Sequence, residues 1–223
     1  MSGAQENPLI TPQLLLRAYA AGYFPMAEHV HSTDLFWVSP NQRGVLPLDG
    51  LHLSKSLTKT IRSGRFEVFV DRDFEAVISA CAQTRTDSWI NDRIHSLYSD
   101  LFNQGLVHTV ECFFEGQSVG GLYGLALGGV FFGESMFHLM RDASNVALAH
   151  LVARLRQGGF VLLDTQFVTP HLERMGAVTI DKPAYLQDLQ LALEQDGDFY
   201  VWPPDEADDP RQVLEILQSP WQP

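Results

Sequence analysis

The chain is poor in cysteine, has no long apolar run and carries few basic residues for its acidic ones, and each shortage removes a class of function. Among 223 residues only Cys81 and Cys112 are cysteines, without CxxC spacing, so neither a disulfide framework nor a zinc site is supported. No stretch reaches the roughly 18 to 20 consecutive apolar residues of a membrane span. Residues 1–8 have neither a basic n-region nor an apolar h-region, so a soluble, unexported, cytoplasmic protein is expected. The 8 histidines lack HExxH or other paired ligand spacing, and there is no P-loop or serine elbow, which leaves metal, ATP and serine-nucleophile chemistry unsupported. Lys and Arg number 15 against 27 Asp and Glu, a net charge of -12, which argues against non-specific nucleic-acid binding.

What remains is a chain with 45% hydrophobic residues and 14 Phe, enough for a substantial core. Thr11-Pro12 reads as the cap and first residue of a helix that Gly22 ends, and 36–48 reads as short strands and turns. Residues 1–65 are therefore expected to form a small N-terminal subdomain. A strand over 66–70 and helices over 74–81 and 91–104 precede three strand-like runs, 109–114, 118–127 and 130–137, separated by Glu115-Gly116 and Gly128-Gly129. A helix over 143–157, capped by Asp142 or Ser144, leads to a buried strand over 160–163 and a further helix over 184–194. An acidic tail over 194–209, continuing into a Pro-rich extension over 201–223, is expected to be solvated apart from the anchors Phe199 and Trp202 and a short helix over 210–218. The order of elements predicts an α+β fold, a mixed α/β sheet of acyltransferase type, over 66–200.

Four groups of residues can carry chemistry or recognition. Glu134 stands in an apolar run and must find water or a partner; the bland alternative is an ion pair with Arg141 or a hydrogen bond to His138. Asp164 and Gln166 are two apart at the end of a buried strand, so their side chains share a face, and an Asp can orient a neighbouring amide toward a reacting group. The alternative is a polar strand end satisfied by loop amides. Lys55, Lys59, Arg62 and Arg65 follow at helical offsets and make one basic stripe, either a solvated face or a local surface for a polyanion. Trp37, Trp89, Tyr98 and Tyr123 can stack a nucleobase, with core packing as the default for each.

The segments Phe36-Trp37-Val38-Ser39-Pro40, Gly120-Gly121-Leu122-Tyr123-Gly124, Gly133-Glu134-Ser135-Met136-Phe137 and Leu163-Asp164-Thr165-Gln166, in that order, resemble the leucyl/phenylalanyl-tRNA-protein transferase family. The resemblance implies a small N-terminal domain followed by a GNAT-like acyltransferase domain that uses aminoacyl-tRNA without a cofactor. It implies transfer of Leu or Phe, with Met as a further donor, to the N-terminal Arg or Lys of acceptor proteins, marking them for N-end rule degradation. By position, Glu134, Asp164 and Gln166 match the catalytic trio. Leu122, Phe131, Met136, Leu148, Leu151 and Leu163 match an apolar pocket for the transferred side chain. Trp89, Tyr98 and Met26 fall near the tRNA 3'-end, Met26 standing where some relatives carry tryptophan. Lys55, Lys59, Arg62 and Arg65 fall in the tRNA-contacting region, Asn145 replaces a frequent lysine, and the acidic tail has no clear counterpart. The rivals are a coenzyme A-dependent N-acetyltransferase, which would need a glycine-rich turn where 138–144 has none, a cell-wall aminoacyltransferase and an RNA-binding adaptor.

Overall fold

A computed structural model describes residues 10–28, 32, 34–84 and 89–221. In chain order the elements are α1 (Pro12–Ala20), β1 (Phe24–Ala27), β2 (Leu35–Val38), β3 (Gln42–Val45), α2 (Lys55–Arg62), β4 (Glu67–Val70), α3 (Phe74–Gln83), α4 (Asp92–Asn103) and β5 (Val107–Phe114). They continue as β6 (Gln117–Leu127), β7 (Val130–His138), α5 (Ala143–Gln157), β8 (Leu162–Gln166), α6 (Pro170–Arg174), β9 (Val178–Asp181), α7 (Lys182–Leu193) and α8 (Pro210–Gln218). The fold is α+β, and no described helix is long and apolar enough to cross a membrane.

Seven strands form one sheet in the order β4-β5-β6-β7-β8-β3-β9, while β1 and β2 pair separately. The first 65 residues thus divide between both sheets, because β3 inserts between β8 and β9. Every pairing is antiparallel except β7 with β8, which are joined by α5. That exception follows from connectivity, since parallel neighbours need a crossover element. One face of the main sheet packs on α2, α5 and α8 around Ile61, Leu151, Val152 and Val213. The other carries α1, α3, α4 and α7 around Leu15, Ile78, Ile94 and Leu189.

The helix starts follow capping chemistry. Thr11, Ser54, Asp73, Asn91 and Asp181 each accept a hydrogen bond from the first turn. Asp142 does not: it precedes α5 with φ 73° and makes no side-chain cap, contrary to the sequence expectation. The acidic tail is exposed as expected at six of its seven acidic residues between 194 and 209, with Phe199 buried as an anchor and α8 over 210–218; Asp208 is the exception. Asp208 is buried, its carboxylate accepting from Arg154 Nη2 and facing His150 Nδ1 at 3.1 Å, both on α5. Arg154 is 1% exposed, and a buried guanidinium needs a carboxylate, so the tail is folded back onto the helix it neutralises.

Candidate functional site

Glu134 owes its direction to a β-bulge. Along β6 and β7, Tyr123 pairs with Ser135 and Gly124 with Gly133, so Glu134 is the extra residue. A bulge re-aims one side chain and exchanges the faces of those that follow. Phe132 accordingly packs with the α1 cluster and Met136 with the α5 cluster, although both positions are even. Gly124 permits the kink: a Cβ there would lie 2.3 Å from both the Phe131 ring and the Phe132 carbonyl oxygen. The Tyr19 hydroxyl donates to Glu134 Oε1 at 2.6 Å and also bonds the Tyr98 hydroxyl. Burial pushes the Glu134 carboxyl up to about 7, the two phenols opposing this and nearby Asp164 adding to it. Neither expected alternative holds, since Glu134 turns to Tyr19 while Arg141 is 87% exposed beside Asp142.

Asp164 is handled differently. It is fully buried and accepts from Arg43 Nε at 2.9 Å and Arg43 Nη2 at 2.7 Å, with the Tyr185 hydroxyl donating at 2.6 Å. Arg43 lies between the Phe24 and Tyr185 rings, 4.6 Å from each centroid, and its Nη1 donates to the Gly22 carbonyl at 3.2 Å. Burial pulls the guanidinium down, but the Asp164 hydrogen bonds and charge outweigh it, leaving its pKa raised. From its spacing, Asp164 is expected to hold the Gln166 side chain. Instead its Oδ1 accepts from the Gln166 backbone N–H at 2.8 Å. That bond closes over a second bulge, with Gly44 opposite Gln166 and Val45 opposite Asp164, and Gln166 sits at φ 56°. A Cβ on Gly44 would lie 2.6 Å from the Phe167 carbonyl carbon, so glycine is what lets the strand end cross.

Strands β7 and β8 pair only from Val130 with Leu162 to Phe132 with Asp164, then diverge. A cavity of about 560 Å³ fills the gap, within the range of small-molecule sites. Glu134 and Gln166 line it from opposite strands, while Asp164 stands behind its wall. Because the gap passes through the sheet, Leu122, Met136, Leu148, Leu151 and Leu163 line it on the α5 side. Met26 and Trp89 line it on the other. Two residues foreseen here stand elsewhere: Phe131 is fully buried against Phe199, and Tyr98 lies behind Tyr19. Lys55, Lys59, Arg62 and Arg65 are all exposed, the first three along α2.

Four lining residues, Ser135, Thr165, Gln166 and His171, each have an enclosed polar atom without a partner among the described residues. Such an atom costs about 1 to 3 kcal/mol, a penalty that a bound polar ligand relieves. Tyr19, Arg43 and Tyr185 were not singled out from sequence. Their partners are 115, 121 and 21 residues away, so no local spacing announces them.

A family model described as leucyl/phenylalanyl-tRNA protein transferase matches residues 45–190. A second, described as the N-terminal domain of that transferase, matches residues 9–41. A Rhodospirillum rubrum protein named leucyl/phenylalanyl-tRNA–protein transferase is 56% identical over 95% of this chain and 97% of its own length. Proteins of the same name from Afipia carboxidovorans and Rhodopseudomonas palustris are 50% and 51% identical, covering 94% and 93% of this chain and 94% of each relative.

Proposed function

The chain belongs to the leucyl/phenylalanyl-tRNA protein transferase family, and on that premise we propose that it moves leucine or phenylalanine from aminoacyl-tRNA to the N-terminal arginine or lysine of an acceptor protein. The observation that carries this reading is the cleft between the diverging ends of β7 and β8, with Glu134 on one side, Gln166 on the other and an apolar recess below. The short parallel pairing that opens into a cleft also supports a GNAT-like reading of the main sheet. We place the reaction in the cytoplasm, where charged tRNA is made and used.

The donor ester is already activated, so the protein has only to position an amine, take its proton and stabilise the tetrahedral oxyanion. Leu122, Met136, Leu148, Leu151 and Leu163 take the transferred side chain, and Trp89 and Met26 meet the terminal nucleoside. An α-ammonium with a pKa near roughly 8 meets Glu134, whose own value of about 7 suits proton exchange near neutrality. Proton transfer to Glu134 frees the amine, whose nitrogen bonds to the ester carbonyl carbon; as the C–O bond to the ribose breaks, the proton that nitrogen then sheds passes to the leaving ribose oxygen. Gln166 offers its amide to the amine or the developing oxyanion. Asp164 acts through Gln166's backbone and is a positioning residue. The exposed Lys55, Lys59, Arg62 and Arg65 supply the local positive surface that the net charge of -12 denies elsewhere.

Incubation with radiolabelled Leu-tRNA and an arginine-terminated peptide tests the reading, with acetyl-coenzyme A as control donor. Label in the peptide from Leu-tRNA alone is expected; acetylation without leucylation would overturn it.

A further inference from the structure

Beyond Phe132, strand β7 has no strand partner on its β8 side among the described residues. All six of its remaining residues, Gly133 to His138, line the cavity. A strand that shows a face to a cavity contributes alternate residues; an unbroken series means that it lies edge-on. The bulge accounts for one added residue, not for the whole series. Pairing with β6 continues to Gly120 opposite His138, and no other backbone hydrogen bond among the described residues reaches 133–138. The Phe137 carbonyl oxygen points to β6, 3.2 Å from where a Cβ on Gly120 would stand. Its neighbours Met136 and His138 therefore turn their N–H and C=O groups into the cleft. These groups form an open sheet edge inside the site, and an open edge is a template for another strand.

We propose that the N-terminal segment of the acceptor protein binds as an added β-strand along this edge, parallel to β7. The proposal rests on the transferase reading. The acceptor's α-amine lies beside Glu134, its next residues pair with the main chain of Met136 and His138, and the chain leaves the cleft at His138, which is exposed. From Glu134 to His138 is about 13 Å at the strand rise, the length of a short extended peptide. The donor brings a side chain and a nucleotide joined by an ester, with no polypeptide backbone to pair. The acceptor is the one substrate that has it. Main-chain pairing reads no side chains, so one edge serves acceptors that share only their first residue.

The test is leucyl transfer to arginine-terminated hexapeptides, each N-methylated at a single amide from residue 2 to residue 6. N-methylation removes one donor and leaves every side chain intact. The expected result is a loss of at least tenfold in kcat/KM at alternate amides within residues 2 to 4, and no change above twofold at residues 5 and 6. A scan in which no amide from 2 to 4 matters by more than twofold would overturn the proposal. If the unmodified peptide is not leucylated either, the transferase reading fails instead. On the protein, His138→Pro should raise the peptide KM severalfold with Leu-tRNA binding unchanged, while His138→Ala, which keeps the amide, should raise it markedly less. Equal losses in both variants would assign the effect to the imidazole and count against strand addition.

Discussion

Two carboxylates, Asp164 fully buried and Glu134 half-buried, stand on neighbouring strands, each beside a bulge, and the fold treats them in opposite ways. Asp164 is matched to a guanidinium, a phenol and a backbone N–H, behind the cavity wall. Glu134 has a phenol chain as its partner and opens on the cavity. A carboxylate neutralised by a cation serves as a fixed strut, whereas one met by neutral hydroxyls keeps a pKa that neutral solution can reach, about 7 here. The bulges give the two groups their positions, and the partners give them their separate roles.

Removing the strut is the severest way to break this contrast. Arg43→Ala leaves Asp164 buried without its cation, and chemical denaturation should show a loss of about 3 to 5 kcal/mol. Glu134→Gln sharpens the contrast, because it removes the exchangeable proton and keeps an acceptor for Tyr19. Transfer should fall roughly a hundredfold. Its stability should move the other way. The native carboxyl is raised from its ordinary 4.5 to about 7, so its stabilising contribution is complete below 4.5 and is lost as pH rises through 7. At pH 8 the variant should therefore exceed the parent by roughly 1 to 3 kcal/mol, a gain that shrinks toward pH 5. Equal stability of the two proteins at both pH values would contradict a raised Glu134.

Tyr19→Phe is a smaller perturbation. The Tyr19 hydrogen bond lowers the Glu134 pKa, so its removal should move the acid limb of kcat/KM to higher pH and cost about 1 kcal/mol of stability. A pH profile that does not move would detach Glu134 from the proton step. Smallest is Leu148→Ala, which widens the apolar recess; competition between Phe-tRNA and Leu-tRNA should shift severalfold toward phenylalanine, about 1 kcal/mol.

Much of this architecture was legible beforehand. Thr11, Asp73 and Asn91 announce their helices because a cap acts over three residues, and α5 spans 143–157 and stops where Gly158-Gly159 foretell. The short α6 and β9 were missed, having too few residues to establish a period. Within the site, Glu134 stands out as a carboxylate in an apolar run, and Gln166 as the partner of Asp164 at the end of a buried strand. Their mutual placement was not legible. A bulge turns on one unpaired residue, and no alternation pattern reveals which strand will skip.

By itself the sequence determined what acts over a few residues: the longer helices and most of their caps, the hairpins, the apolar strands, the basic stripe along and just after α2 and the motifs that carry the family resemblance. Tertiary structure alone decided the rest. Arg43 and Asp164, 121 residues apart, become one buried pair, and Asp208, in a tail otherwise exposed at its acidic residues, turns inward to meet Arg154. The reason is physical: periodicity and capping are local, whereas a buried charge takes its partner from whichever segment the packed sheet brings beside it.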